Sequence, residues 1–492
     1  MIVQTLSGTV EGADLNGVHV FRGIPYAAAP VGNRRFKPPA PPLAWTGVRP
    51  CKQFGPIAPQ QHQPNGNVPG LAQSEDCLNL NVWTTGVSEK LKPVMVYIHG
   101  GGFVSGNGAE CDGSRYAAED GIVYVSINYR LGALGFLYLG DLLGNGYETS
   151  GNHGMLDIAA ALRWVRLNIA AFGGDPSRVT VIGNSAGAKC TATLYVMEAA
   201  QGLFHRAIAQ SGATQSIRDC QTANVTTLRL LEELGLPQAQ AHQLLELPAE
   251  RIIEAQSAIG SDTSRSLHMF GPVADGHVIP LDPLASLAGN AGLPPLLIGT
   301  NENEAAIFIH NDPALQCPAF ETLERFFGEN AAVAWNAYAC YEQSMASGEA
   351  WSKTLTEHLY TIGAMQFAEA VASSGTPVWM YRLQCGGSLG AIHGYEGSLI
   401  GAAFNRNVMP AEWHSNEDPY SVAAESYALA RAMREAWVAF VQSGEPNIRA
   451  LPAWPVYGSG HPTMVLDQNS CVREDLPVPA GIGVPHQVWR MA

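Results

Sequence analysis

The sequence predicts an α/β protein with a mostly parallel central sheet and helices on both faces. Short β-branched apolar runs recur along the chain, helical patterns lie between them, and glycine-rich turns follow several runs at their carboxyl ends. Buried strands separated by helices are the pattern of a parallel sheet covered on both sides.

The strand candidates, in order, are Val94–Ile98, Ile122–Ile127, Val179–Ile182, Leu296–Ile298 and Val378–Leu383. Between the second and third lies Met155–Phe172, with Ile158, Leu162, Val165 and Ile169 at helical spacing. Residues 219–265 carry helical patterns such as Thr227–Leu236 without a clear strand, which suits a cap over the sheet. Tyr427–Gln442 reads as a late helix ended by Ser443-Gly444-Glu445-Pro446. Residues 58–74 are rich in Gln, Pro, Asn and Gly and read as a surface loop.

At about 150 residues per domain, length alone would suggest three domains. No repeat or long linker divides the 492 residues, however. One domain over 1–492 is expected, with insertions around 58–76, 213–265 and 305–360.

With 46% hydrophobic and only 14% charged residues, the chain can bury a large core and is not disordered. Its formal charge is −15 and no basic run appears, which argues against a nucleic-acid partner. The first residues lack a basic segment followed by an apolar one, so no signal peptide is expected. No stretch of about 18 apolar residues suggests a membrane span. The nine cysteines are odd in number, scattered and without a CxxC pair. They signal neither a zinc site nor a disulfide framework, and a reduced cytoplasmic protein is the simplest expectation.

The chemistry starts at Gly183-Asn184-Ser185-Ala186-Gly187, directly after a strand and before a helical pattern from Ala188 to Met197. That context makes Gly-x-Ser-x-Gly a nucleophile elbow, with the serine on a tight turn near the positive end of the next helix. The strand and helix weigh against a chance match in a glycine-rich loop. His99-Gly100-Gly101-Gly102-Phe103 follows the strand ending at Ile98. Its glycines let backbone N–H groups face a developing oxyanion, with Gly101, Gly102 and Ala186 as the expected donors. A phosphate loop is disfavoured, because no Lys-Ser/Thr follows.

Fourteen histidines compete as general base. His393, in Gly390-Ala391-Ile392-His393-Gly394-Tyr395-Glu396, lies on a loop beyond a strand end, where it can reach a neighbouring elbow serine. The acid should fall between serine and histidine in chain order. Glu302 and Glu304, beyond the strand Leu296–Ile298, both qualify, and spacing does not separate them.

Long ordered motifs then add up. They include Phe21-Arg22-Gly23-Ile24-Pro25-Tyr26-Ala27, Glu75-Asp76-Cys77-Leu78-Asn79-Leu80-Asn81-Val82, Asn128-Tyr129-Arg130-Leu131-Gly132, Phe172 through Gly187, and Leu203-Phe204-His205-Arg206-Ala207-Ile208. Gln210-Ser211-Gly212 and Trp437-Val438-Ala439-Phe440 continue the series. Nearly end to end, the sequence resembles the type-B carboxylesterases, the family of cholinesterases and bacterial p-nitrobenzyl esterases.

The resemblance implies the α/β-hydrolase fold with helical cap insertions. It also implies ester hydrolysis through an acyl-serine intermediate. Its acidic motif matches Asn303-Glu304-Ala305 only at the glutamate, which favours Glu304 over Glu302. Its histidine matches His393, with Glu396 at the following acidic position. The implied catalytic residues are therefore Ser185, Glu304 and His393, with no metal or organic cofactor. The implied partner is a small- to medium-sized ester, handled by a monomer or small homo-oligomer. Carbamates and amides are alternative substrates for the same triad. A catalytically inactive binding protein is the remote alternative, disfavoured because all three triad residues are present.

The sequence departs from the family pattern at four places. Asn184 replaces the usual glutamate before the nucleophile, which implies a weaker preference for cationic substrates. Ala58 stands where many relatives carry a cysteine, so Cys77 is expected to be a free buried thiol; Cys51 would pair with it only if the loop differed. The loop 58–76 has no tryptophan to receive a quaternary ammonium group, which argues against a true cholinesterase. Asn79 stands where an aromatic is common. Arg35 with Glu75, and Arg130 with Asp157, resemble the family's buried salt bridges.

Overall fold

The computed structural model describes residues 1–61, 70–260, 267, 269–404, 419–479 and 481, with backbone alone at 401–404. Residues 62–69 of the loop expected over 58–76, and 261–265 of the segment 213–265, lie outside the described residues. The chain groups into two compact units. One comprises Met1–Arg206, Ser216–Ser261 and Arg265–Leu281; the other comprises Ala207–Gln215, Asp262–Ser264 and Asp282–Ala492.

In the first unit the strands run side by side in the order Gly174–Asn184, Lys92–Ile98, Val123–Ile127, Asn79–Thr84, Val18–Pro25 and Ala13–Leu15. Lys92–Ile98 is parallel to both of its neighbours. Asn79–Thr84, Val18–Pro25 and Ala13–Leu15 continue the sheet antiparallel. Every residue of Asn79–Thr84 and Val123–Ile127 is buried, as strands covered on both faces must be. Ala13–Leu15 and Val18–Pro25 form a hairpin through the two-residue turn Asn16-Gly17, both at positive φ (54° and 86°), whereas Asn79–Thr84 pairs with Val18–Pro25 and Val123–Ile127 across long stretches of sequence. A small separate sheet joins Ile2–Thr5, Gly8–Glu11 and Val48–Pro50.

The helical pattern expected over Met155–Phe172 is an α-helix, His153–Asn168, followed by a 3-10 turn, Ile169–Phe172. Residues 213–265 contain the helices Cys220–Glu233 and Ala249–Ile259, with the 3-10 segment Gln238–Leu245 between them.

In the second unit Arg206–Gln210, from Ala207 on, pairs in parallel with Leu296–Asn301. Leu296–Asn301 pairs in parallel with Val378–Leu383, and that strand with Thr463–Leu466. The helix Tyr427–Ser443 covers this sheet. Its Trp437 packs on Tyr381 at 5.3 Å between ring centroids, and its Phe440 on Trp379 at 5.8 Å. The helix ends where the stop signal stands: Gly444 takes the left-handed conformation (φ 91°) and its N–H bonds Phe440 O at 2.8 Å.

Both expected ion pairs form. Arg130 and Asp157 are buried and joined by two bonds of 2.8 and 2.7 Å. Arg35 Nε donates to Glu75 at 2.8 Å, and the guanidinium also donates to Leu244, Leu245 and Leu247 carbonyls. All nine cysteines are free. Cys51 and Cys77 are both buried, and burial pushes the Cys51 thiol up to about 11 and the Cys77 thiol higher still.

Candidate active site

In the first unit the strand Gly174–Asn184 runs straight into Ser185, and the helix Ala186–Thr193 starts at the next residue. Ser185 sits at φ 57°, ψ −123°. Such a conformation costs a non-glycine residue about 1–3 kcal/mol and persists only where its surroundings enforce it. Here the strand on one side and the helix on the other enforce it, and the Lys189 N–H donates to Ser185 O at 3.0 Å as the helix begins. Gly187 must be glycine, because a Cβ there would lie 2.0 Å from Ile98 O.

The glycine loop lies against this elbow. A Cβ on Gly100 would lie 2.8 Å from Asn184 O and 3.3 Å from Ser185 Cβ. Gly101 and Gly102 follow at φ 104° and 61°. The loop is pinned at Phe103, itself at φ 64°, whose carbonyl accepts the Gly132 N–H at 2.6 Å. At its start, the buried His99 ring stacks on Tyr129 at 4.5 Å, and Tyr129 OH donates to His99 O at 3.0 Å. Burial pushes the His99 pKa down to about 4, although its bond to Gly100 O works the other way. A neutral imidazole tied to its own loop is a structural element rather than a general base.

In the second unit the paired strands Leu296–Asn301 and Val378–Leu383 bring two loops together at their carboxyl ends. Glu302 N–H donates to Leu383 O at 2.9 Å and Asn303 N–H to Ala391 O at 2.9 Å. Glu304 is fully buried, and its Oε2 lies 2.6 Å from His393 Nδ1. Its Oε1 accepts the Asn301 backbone N–H at 2.8 Å. The rival Glu302 is exposed and bonds Gln384. The His393 ring packs against the stacked rings of Tyr360 and Phe308, at centroid distances of 4.6 and 5.3 Å. His393 Nε2 is buried and has no hydrogen-bond partner among the described residues.

A second buried carboxylate, Glu396, lies behind this pair. Ser211 Oγ (2.8 Å), Tyr381 OH (3.2 Å) and Asn301 Nδ2 (2.7 Å) donate to it. Asn301 Nδ2 also donates to Ile392 O at 2.6 Å, tying the acid loop to the histidine loop. Burial, then the charge of Glu304, holds the Glu396 pKa above the ordinary carboxylate range. Glu396 and Ser211 stood in motifs that the resemblance singles out. Asn301 and Tyr381 belong to no motif or spacing pattern, because their roles arise from strand register.

An elbow serine beside a glycine loop on an α/β fold, with a buried carboxylate–imidazole pair beyond two neighbouring strands, is the equipment of a serine hydrolase. The fold is that of the α/β-hydrolases, and the chain is a serine-dependent carboxylic ester hydrolase. More narrowly, it belongs to the carboxylesterase family, whose model matches residues 1–476.

The para-nitrobenzyl esterase of Bacillus subtilis is 36% identical over 96% of both chains. A phenmedipham hydrolase of Pseudarthrobacter oxydans is 32% identical over 98% of both. Among solved structures, a PNB esterase superposes with a TM-score of 0.85 at 34% identity, covering 97% of this chain and all of the other. A Geobacillus stearothermophilus carboxylesterase gives 0.83 at 37% identity, covering 96% and 98%.

Proposed function

We propose that Ser185, His393 and Glu304 form the catalytic triad of an esterase acting on small to medium carboxylic esters. The N–H groups of Gly101, Gly102 and Ala186 form its oxyanion hole. The observation that carries this reading is the strained elbow of Ser185, held against the Gly100–Gly102 loop. His393 Nε2 takes the Ser185 proton as Oγ adds to the ester carbonyl. Glu304 fixes the imidazole with its proton on Nδ1 and balances the cation that forms. The three N–H groups hold the tetrahedral oxyanion. The imidazolium then gives its proton to the departing alcohol oxygen, leaving an acyl-serine. Water, deprotonated by the same nitrogen, adds to the acyl carbon and releases the acid and free Ser185.

A cytoplasmic location and a monomer or small homo-oligomer belong to the same proposal. The free, buried Cys51 and Cys77 fit a reducing compartment. Among the described residues, no helix is long and apolar enough to cross a membrane.

The test is Ser185→Ala, assayed on p-nitrophenyl esters of increasing acyl length and on an aryl carbamate. Peptide mapping after treatment with a fluorophosphonate accompanies it. Ester turnover should vanish with the fold retained, and the label should sit on Ser185 in the unmodified enzyme. Retained turnover in the variant, or a label elsewhere, overturns the assignment.

A further inference from the structure

Each expected oxyanion donor shares a planar peptide with the preceding carbonyl, so whatever holds that carbonyl aims the N–H the opposite way. The Gly102 N–H shares its peptide with Gly101 O. That oxygen accepts three bonds: from Val104 N and Ser105 N, each at 3.0 Å, and from Ser105 Oγ at 3.1 Å. The Gly101 N–H shares its peptide with Gly100 O, which bonds His99 Nδ1 at 2.9 Å. Both carbonyls are thus gripped by the loop's own ends, His99 on one side and Val104 and Ser105 on the other.

Gly106 locks those ends together. A Cβ there would lie 2.5 Å from His99 Nδ1 and 2.6 Å from Gly100 O, so its backbone packs directly on the first turn of the loop. Gly106 is held in turn by one side chain from outside the loop. Gln60 Oε1 accepts the Gly106 N–H at 2.9 Å, and Gln60 Nε2 donates to Gly106 O at 3.1 Å. The second Nε2 hydrogen goes to Ala58 O at 3.0 Å, and Gln60 is 4% exposed. A carboxamide that pairs with both polar groups of one peptide residue, and is anchored by a third bond, resists both sliding and rotation.

We infer that Gln60 is a positioning residue for the oxyanion hole. It clamps Gly106, and through Gly106 sets the peptide planes that aim the Gly101 and Gly102 N–H groups. This rests on the oxyanion-hole reading above. Gln60 itself touches no reacting atom. Its effect belongs to the tetrahedral state rather than to substrate binding, because only that state needs the donors aligned.

The test is Gln60→Met, which keeps the side chain's bulk and removes its hydrogen bonds. Two readouts are compared with the unmodified enzyme: kcat and KM on p-nitrophenyl butyrate, and affinities for an alkyl trifluoromethyl ketone and the matching methyl ketone. The trifluoromethyl ketone adds the serine oxygen to its carbonyl and places an oxyanion in the hole; the methyl ketone binds unreacted. Loss of donor alignment should lower kcat by about ten- to a hundredfold, with KM within about threefold. Affinity for the trifluoromethyl ketone should fall by the same factor, and methyl ketone affinity should not move. A folded variant with unchanged kcat, or with lowered kcat but unchanged trifluoromethyl ketone affinity, overturns the clamp.

If Gln60→Met does not fold, Gln60→Glu decides. Its carboxylate still accepts from Gly106 but cannot donate, and protonation restores one donor. Its activity relative to the unmodified enzyme should therefore rise as pH falls, and parallel pH profiles overturn the clamp. Failure of the parent reading looks different: the unmodified enzyme would then bind the two ketones equally.

Discussion

Replacing Glu304 by glutamine tests the carboxylate–imidazole pair with almost no change in shape. The two carboxylate oxygens have different partners: Oε1 accepts the Asn301 backbone N–H at 2.8 Å, and Oε2 faces His393 Nδ1 at 2.6 Å. The Asn301 N–H is a fixed donor at a strand end. A glutamine must therefore give it the carbonyl oxygen and turn its NH2 toward Nδ1. Nδ1 then becomes an acceptor, the imidazole proton moves to Nε2, and no lone pair remains there for the serine proton. Flipping the amide restores the tautomer but sets two donors against each other in a fully buried site, at a cost of about 1–3 kcal/mol.

The imidazolium formed in the transition state also loses its counter-charge. At an effective dielectric of about 20 and about 4 Å between charge centres, that is worth ~4 kcal/mol. Together these terms reach about 5–7 kcal/mol, and at about 1.4 kcal/mol per decade kcat should fall roughly 10⁴-fold or more. The assay is steady-state kcat on p-nitrophenyl butyrate with circular dichroism as the folding control. Glu302→Gln serves as a neighbour whose exposed side chain should leave kcat unchanged. A folded Glu304→Gln enzyme within tenfold of the unmodified kcat would refute the reasoning, as would equal losses in the two variants.

Two further predictions concern stability. Asp157→Ala leaves the Arg130 guanidinium, 3% exposed as a residue, without its carboxylate and with a bond to Lys37 O. It should lower unfolding free energy by about 3–5 kcal/mol in urea titration; a loss below about 1 kcal/mol would show that the charge finds another partner. His153 is fully buried, neither ring nitrogen has a hydrogen-bond partner among the described residues, and burial, then the charge of Arg130, holds its pKa well below the ordinary value. The unfolded chain therefore binds a proton that the native state refuses as pH falls below about 6.5, so this group destabilises the fold increasingly on acidification. His153→Leu should raise the urea midpoint, and the gain should be larger at pH 5.5 than at pH 7.5; an equal or smaller gain at the lower pH would contradict the assignment.

The parallel strands, the elbow at Ser185 and the glycine loop were legible in the sequence because each is local. A buried parallel strand is apolar along most of its length, and a strand-to-helix turn needs small residues at fixed offsets. Chain order and family resemblance then added His393 and Glu304. Tertiary structure alone decided what depends on register between distant segments. It supplied the physical basis for Glu304 over Glu302, which spacing left open and resemblance only favoured: pairing of Leu296–Asn301 with Val378–Leu383 buries one side chain against His393 and leaves the other at the surface. It gathered Asn301, Ser211 and Tyr381 around Glu396, and it joined Gln60 to Gly106 across 46 residues of sequence. Hydrogen-bond partners that far apart leave no periodicity, since a polar side chain is the same letter whether it faces water or closes a buried network.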